Sequence, residues 1–210
     1  MAARKRVPQI HPVESRKEKQ TTYQEQIKQY QKAIQYGFYF EAVMIDYACL
    51  EDRLRYMLYY LGVLQKEDEY KVASPGSERV GCFRELLHQY ISPDARMSIS
   101  GIKEKRQIVE AVFRFASEAE QPLPKTKTQS ILWNALHDPE RAAEILMILS
   151  EIGDWCAYRN EIVHSLLNKK MDSLHEKLED QARKGHDLFR KLDREVRWVR
   201  QKKIRDKLKL

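Results

Sequence analysis

The chain has 210 residues, 42% of them hydrophobic and 33% charged, with a net charge of +7 and seven each of Gly and Pro. That length allows one hydrophobic core with an appended arm. No apolar run reaches the ~18 residues of a membrane span, and the basic N-terminus lacks the apolar stretch of a signal peptide. Cys49, Cys82 and Cys156 are too far apart for a metal-binding spacing and odd in number for a disulfide framework, which points to core thiols in a reducing, cytoplasmic setting.

The positive charge is concentrated at the two ends. Residues 1–19 hold six Lys/Arg against two Glu, and residues 197–210 hold seven against one Asp, so the body between them is mildly acidic. Basic ends are often simply solvated. They also supply salt-sensitive attraction to phosphate backbones without choosing a sequence. Arg4, Lys5, Arg6, Arg200, Lys202, Lys203 and Arg205 are accordingly the expected nucleic-acid contacts.

In chain order, Pro8, Pro12 and dense charge predict a flexible basic arm over residues 1–20. Thr22 to Tyr36 reads as a polar helix with a thin stripe of Tyr23, Ile27, Tyr30 and Ile34, and Gly37 separates it from the next. Phe38 to Leu61 is a strong helix with Val43, Tyr47, Leu50, Leu54, Met57 and Leu61 on its apolar face and Gly62 as its stop. Asp46 and Glu51 fall at opposite edges of that face. Asp46 reads as a solvated acid, while Glu51 is placed to meet a cation on a packed helix.

A charged linker ends at Ser77, which suits the cap of a helix from Glu78 to Ile91. Ser92-Pro93-Asp94 breaks it. Helices follow over Ile102–Ala116 and Gln129–Leu136, separated by Gln121-Pro-Leu-Pro124, with Trp133 read as core. A long periodic helix runs from Asp138 to Asn168, with Asp138 as cap and Pro139 in its first position. Asp172 caps a last, highly charged helix with a narrow stripe of Leu174, Leu178, Leu188, Leu192, Val196 and Val199, interrupted at Gln181 and Gly185. Such a stripe suits packing on a surface or against another helix, and acids along its length argue against a membrane surface. His175 and His186 read as surface histidines on it. There is no internal repeat, phosphate-cradling glycine loop, nucleophile elbow or zinc signature.

The reading is therefore an all-α bundle with three regions: the arm 1–20, a bundle over 21–168 in which 78–137 is an elaboration, and a charged C-terminal helix with a basic tail over 169–210. The chemistry-bearing stretch is Trp155-Cys-Ala-Tyr-Arg-Asn-Glu-Ile-Val-His164. At about 100° per residue, Arg159 falls among the apolar residues Trp155, Ile162 and Leu166, with Asn160 and His164 one turn apart on the adjoining flank. A guanidinium does not lose its charge, so a buried one needs a carboxylate or a phosphate. An imidazole can move a proton near neutral pH. The plainer reading makes Arg159 a structural ion pair with Glu51 or Asp46.

Arg159-Asn-Glu-Ile-Val-His164 resembles the R-x4-6-H motif of HEPN domains (higher eukaryotes and prokaryotes nucleotide-binding), with the polar residue often found just after the arginine. Tyr47 to Gly62 looks like the earlier bundle helix of such proteins, and the resemblance covers about residues 21–168. A second match, Arg6 to His11, sits in the Pro-flanked tail where a helix is not expected.

The resemblance implies an endoribonuclease that cleaves single-stranded RNA without a metal or other cofactor. It places Arg159, Asn160 and His164 at the site, with Glu51 as the accompanying acid. It also implies a homodimer with a shared cleft, and control by an antitoxin or a CRISPR- or phage-defence-linked partner. Family toxins modified by a nucleotidyltransferase carry a tyrosine two residues after the motif histidine; here that position is Leu166. The alternative is a non-catalytic helical adaptor or nucleic-acid-binding subunit.

Overall fold

The computed structural model describes residues 16–66, 77–118, 126–165 and 171–210. Among these the chain forms helices α1 (Arg16–Gln35), α2 (Tyr39–Leu61), α3 (Glu78–Tyr90), α4 (Ile102–Ala116), α5 (Lys127–Leu136), α6 (Pro139–Ser165), α7 (Met171–Gln201) and α8 (Ile204–Leu208), with no strand. The all-α expectation holds. Helix ends follow the chemistry expected of them. The Ser77 hydroxyl accepts from the Val80 amide, and Asp138 accepts from the Arg141 amide at 3.1 Å. Gly62 closes α2 in the left-handed conformation, φ +85°, donating back to Leu58 and Tyr59 carbonyls.

α2 is the centre of the packing. Val43, Leu50, Leu54, Met57 and Leu61 lie at helical spacing and are fully buried. Contacts between pairs of helices fix their directions. Lys19 and Tyr23 near the start of α1 reach Asp52, well along α2, so these two form an antiparallel hairpin turned at Gly37, φ +74°. Asp46 meets His186, Arg53 meets Asp193, and the Tyr59 carbonyl meets Arg205, so α7 and the segment after it run parallel to α2. Glu144 pairs with Arg194, Glu151 with Lys191, and Trp155 with Gln181, so α6 runs antiparallel to α7. α4 packs on α2, α3, α5 and α6 through Ile108, Val109, Val112 and Phe113, so residues 78–137 supply part of the common core.

Three expectations change. Residues 16–20 of the expected arm belong to α1, and the rest of the arm lies outside the described residues. The C-terminal segment is not a loose tail: α7 continues to Gln201, and α8 packs on α5 and α2 with Ile204 buried. α7 starts at Met171, so Asp172 lies within its first turn instead of capping it.

Asp46 and His186 were both expected at the surface, and neither is. α7 covers the edge of α2 that carries Asp46, leaving it 1% exposed. Its Oδ1 lies 3.3 Å from His186 Nδ1, and its Oδ2 is buried without a partner. Burial raises the carboxyl to about 6, with His186 pulling the other way. The His186 ring stacks on Tyr30 at 4.1 Å. The close approach comes from the interruption in the α7 stripe: Ala182 and Gly185 are small enough to bring the α7 backbone against Trp155, whose indole N–H donates to the Gln181 carbonyl at 2.9 Å.

Candidate functional site

The apolar stripe of α6 buries Ile145, Ile148, Leu149, Ile152, Trp155 and Ile162. Arg159 lies at the margin of that stripe and is half-buried. Its guanidinium spreads over the Tyr47 ring of α2 at 4.3 Å, a cation–π arrangement. Nη1 donates to Asn160 Oδ1 at 3.0 Å, Nη2 lies 3.0 Å from Met44 Sδ, and Nε is buried without a partner. Among the described residues, Arg159 makes no ion pair with a carboxylate. The expected structural pairing with Glu51 or Asp46 does not form.

Both acids are used elsewhere. Asp46 faces α7, on another side of α2. Glu51 Oε1 accepts from Lys105 Nζ of α4 at 2.7 Å, and the Lys105 side chain is 4% exposed. α4 brings a buried ammonium to the edge of α2, and the nearest acid answers it. Glu51 remains in the same neighbourhood. Burial raises the Tyr47 hydroxyl, with the Glu51 carboxylate adding and Arg159 opposing. Burial also pushes the Cys156 thiol up to about 11 against the pull of Arg106 and Arg159. Cys49 and Cys82 are buried free thiols, as expected of core cysteines.

Asn160 and His164 are exposed, one turn apart on the flank of α6 beside Arg159. Asn160 therefore orients the arginine, not the imidazole. The arrangement presents a guanidinium fixed by an aromatic face and an amide, with an imidazole about 7.5 Å further along the helix axis. Leu166 lies outside the described residues.

Of the expected nucleic-acid contacts, Arg4, Lys5 and Arg6 lie outside the described residues. Arg200 is exposed near Tyr60, Lys202 Nζ stands 4.3 Å from the Trp198 ring centre, and Lys203 is exposed at the α7–α8 junction. Arg205 is a correction. It turns inward, stacks on Tyr59 at 3.8 Å, and donates to the carbonyls of Tyr59, Leu64 and Gln65. These carbonyls end α2 and begin the loop after it, where the helix cannot satisfy them itself.

Sequence reasoning missed a groove of about 1300 Å³ between α1, α2 and α7, lined by seven Lys/Arg, one Asp and several aromatic rings. The signal was present as Arg190, Arg194, Arg197 and Arg200 at three- and four-residue spacing on one flank of α7. Among the described residues no three His, Cys, Asp or Glu side chains gather as a metal site would need, and no helix is long and apolar enough to cross a membrane. No family model, curated protein or solved structure matches the chain.

Proposed function

We propose that this chain is a metal-independent endoribonuclease that cleaves single-stranded RNA at Arg159, Asn160 and His164. The supporting observation is Arg159 itself: a permanent cation, half-buried on Tyr47, steadied by Asn160 and without a carboxylate to neutralise it. An RNA phosphate supplies the missing charge, and a guanidinium matches the spread charge of a phosphoryl transition state.

In this chemistry the RNA provides its own nucleophile. The 2′-oxygen attacks the adjacent phosphorus, the bond from phosphorus to the 5′-oxygen breaks, and a 2′,3′-cyclic phosphate and a 5′-hydroxyl result. His164 takes the 2′-hydroxyl proton, and the partner subunit's His164 protonates the leaving oxygen in a cleft shared by two copies. Proton transfer and charge stabilisation each contribute about 10²-fold or more. The exposed Tyr36 and Phe38 at the α1–α2 corner, with Met44 beside Arg159, offer apolar surface for the second copy. Following the HEPN resemblance, the role is that of a cytoplasmic toxin or phage-defence effector restrained by an antitoxin or a CRISPR-linked partner. Glu51 acts by holding Lys105 and α4 in place, outside the proton-transfer steps.

The test is incubation of purified protein with single-stranded RNA in EDTA, with product ends read by phosphatase and kinase sensitivity. Cyclic phosphate ends and 5′-hydroxyls are expected; 5′-phosphate products, or intact RNA, contradict the proposal. Sedimentation tests the shared cleft: a stable monomer that cuts RNA removes it.

A further inference from the structure

We infer that the groove between α1, α2 and α7 is a binding surface for single-stranded nucleic acid, separate from the Arg159 site. Around α2, Met44 and Tyr47 point roughly 180° away from Arg53, Tyr56 and Tyr60 at the helical repeat. Arg159 lies against the first pair, while the second set lines the groove. A strand held in one does not reach the other without crossing over α2.

The groove is cationic beyond its internal pairing. Asp52 and Asp193 answer Lys19, Arg53 and Arg197, and Glu195 with Glu144 answers Arg141 and Arg194. Among the described residues Arg190 and Arg200 make no ion pair with a carboxylate, and both are exposed at the wall. Ten residues of α7 separate them, about 15 Å along the helix. Both signs of charge are present, but the excess is positive and lies on one concave surface, where it attracts a polyanion.

The rings select the kind of polyanion. Trp198 is half-exposed, with Lys202 Nζ 4.3 Å and the Arg141 guanidinium 4.9 Å from its ring centre. Tyr60 carries Arg200 at 5.9 Å. Rings set among cations hold bases by stacking while the cations hold phosphates, and the combination tolerates any sequence. An acidic peptide would use the cations and leave the rings without a role.

The experiment uses fluorescein-labelled oligodeoxythymidylate, which lacks the 2′-hydroxyl and so cannot be cut by the chemistry proposed above. Its binding is thus read independently of cleavage. Anisotropy titrations compare wild type, Arg190→Glu/Arg200→Glu and Trp198→Ala, with circular dichroism confirming each fold. The charge-reversal pair is expected to weaken binding at least ~10-fold and to flatten its salt dependence. Trp198→Ala should weaken it about tenfold, and polyglutamate should compete poorly. Wild-type affinity in the charge-reversal pair, an unaffected Trp198→Ala, equal competition by polyglutamate, or no binding by wild type overturns the assignment.

Discussion

Lys105 Nζ lies 2.7 Å from Glu51 Oε1, joining α4 to α2 through an ammonium that is almost wholly buried. Removing the acid alone strands that charge. Glu51→Ala is expected to cost about 1–3 kcal/mol in urea unfolding, less than a fully buried pair would because Glu51 is partly solvated. Adding Lys105→Met should recover most of the loss. Glu51→Gln should retain RNA cleavage; abolished cleavage in a fully folded Glu51→Gln protein would make Glu51 part of the reacting site.

The buried Asp46 makes stability depend on pH in a defined direction. Its folded value of about 6 lies above the ordinary 3.8, so the native state holds the proton more tightly than the unfolded chain. Its contribution is fully present below about pH 4 and is lost as pH rises through about 6. The difference in unfolding free energy between wild type and Asp46→Asn should therefore change by roughly 2 kcal/mol from pH 4 to pH 8, to the disadvantage of wild type. His186, Asp187 and Tyr30 surround the group, and His186 loses its carboxylate neighbour in the variant, so the difference reports Asp46 together with its coupling to His186. A pH-independent difference would place Asp46 in water.

Two glycines in helices should respond oppositely to alanine. A Cβ at Gly185 would lie 2.6 Å from Trp155 Cζ2 and 3.1 Å from Asp46 Oδ2, whereas one at Gly81 meets nothing within 4 Å. Gly81→Ala should stabilise by about 0.5–1 kcal/mol through helix propensity. Gly185→Ala should destabilise by about 1–3 kcal/mol, because the overpacking outweighs that gain. Thermal or urea unfolding distinguishes them; equal stabilisation by both would show that α6 and α7 are not in such close contact.

Arg205 is expected to behave as a structural residue. Arg205→Ala leaves the carbonyls of Tyr59, Leu64 and Gln65 without their shared donor and should cost about 2 kcal/mol, with little effect on oligonucleotide affinity. Lysine should rescue it poorly, because a point charge does not reproduce the planar fork. Weakened binding at unchanged stability would return Arg205 to the nucleic-acid surface.

The helices were legible because period and punctuation agreed. Ser77, Asp138-Pro139 and Gly62 marked ends that the structure uses. What the sequence concealed was which flank each neighbour covers. Asp46 and Glu51 flank the α2 stripe on opposite edges, and the sequence does not say that α7 buries the first while α4 brings a lysine to the second. His186 looked like a surface histidine because Gly185 read as a gap in the stripe, when it is the point of closest approach. Arg205 looked like part of a basic tail because its partners are backbone carbonyls some 140 residues earlier, which side-chain patterns do not reveal. At the candidate site, the placement of Arg159 beside Asn160 could be read from helical spacing. Its seat on Tyr47 depends on how α2 lies against α6.

Single-turnover RNA cleavage in EDTA, with wild type, Arg159→Ala and His164→Ala at matched helical content, decides whether these two side chains do the chemistry. Wild type should give cyclic-phosphate products, and each variant should lose about 10²-fold or more in rate. Wild-type cleavage rates in either variant would contradict the site, leaving Arg159 as a cation that merely packs on Tyr47.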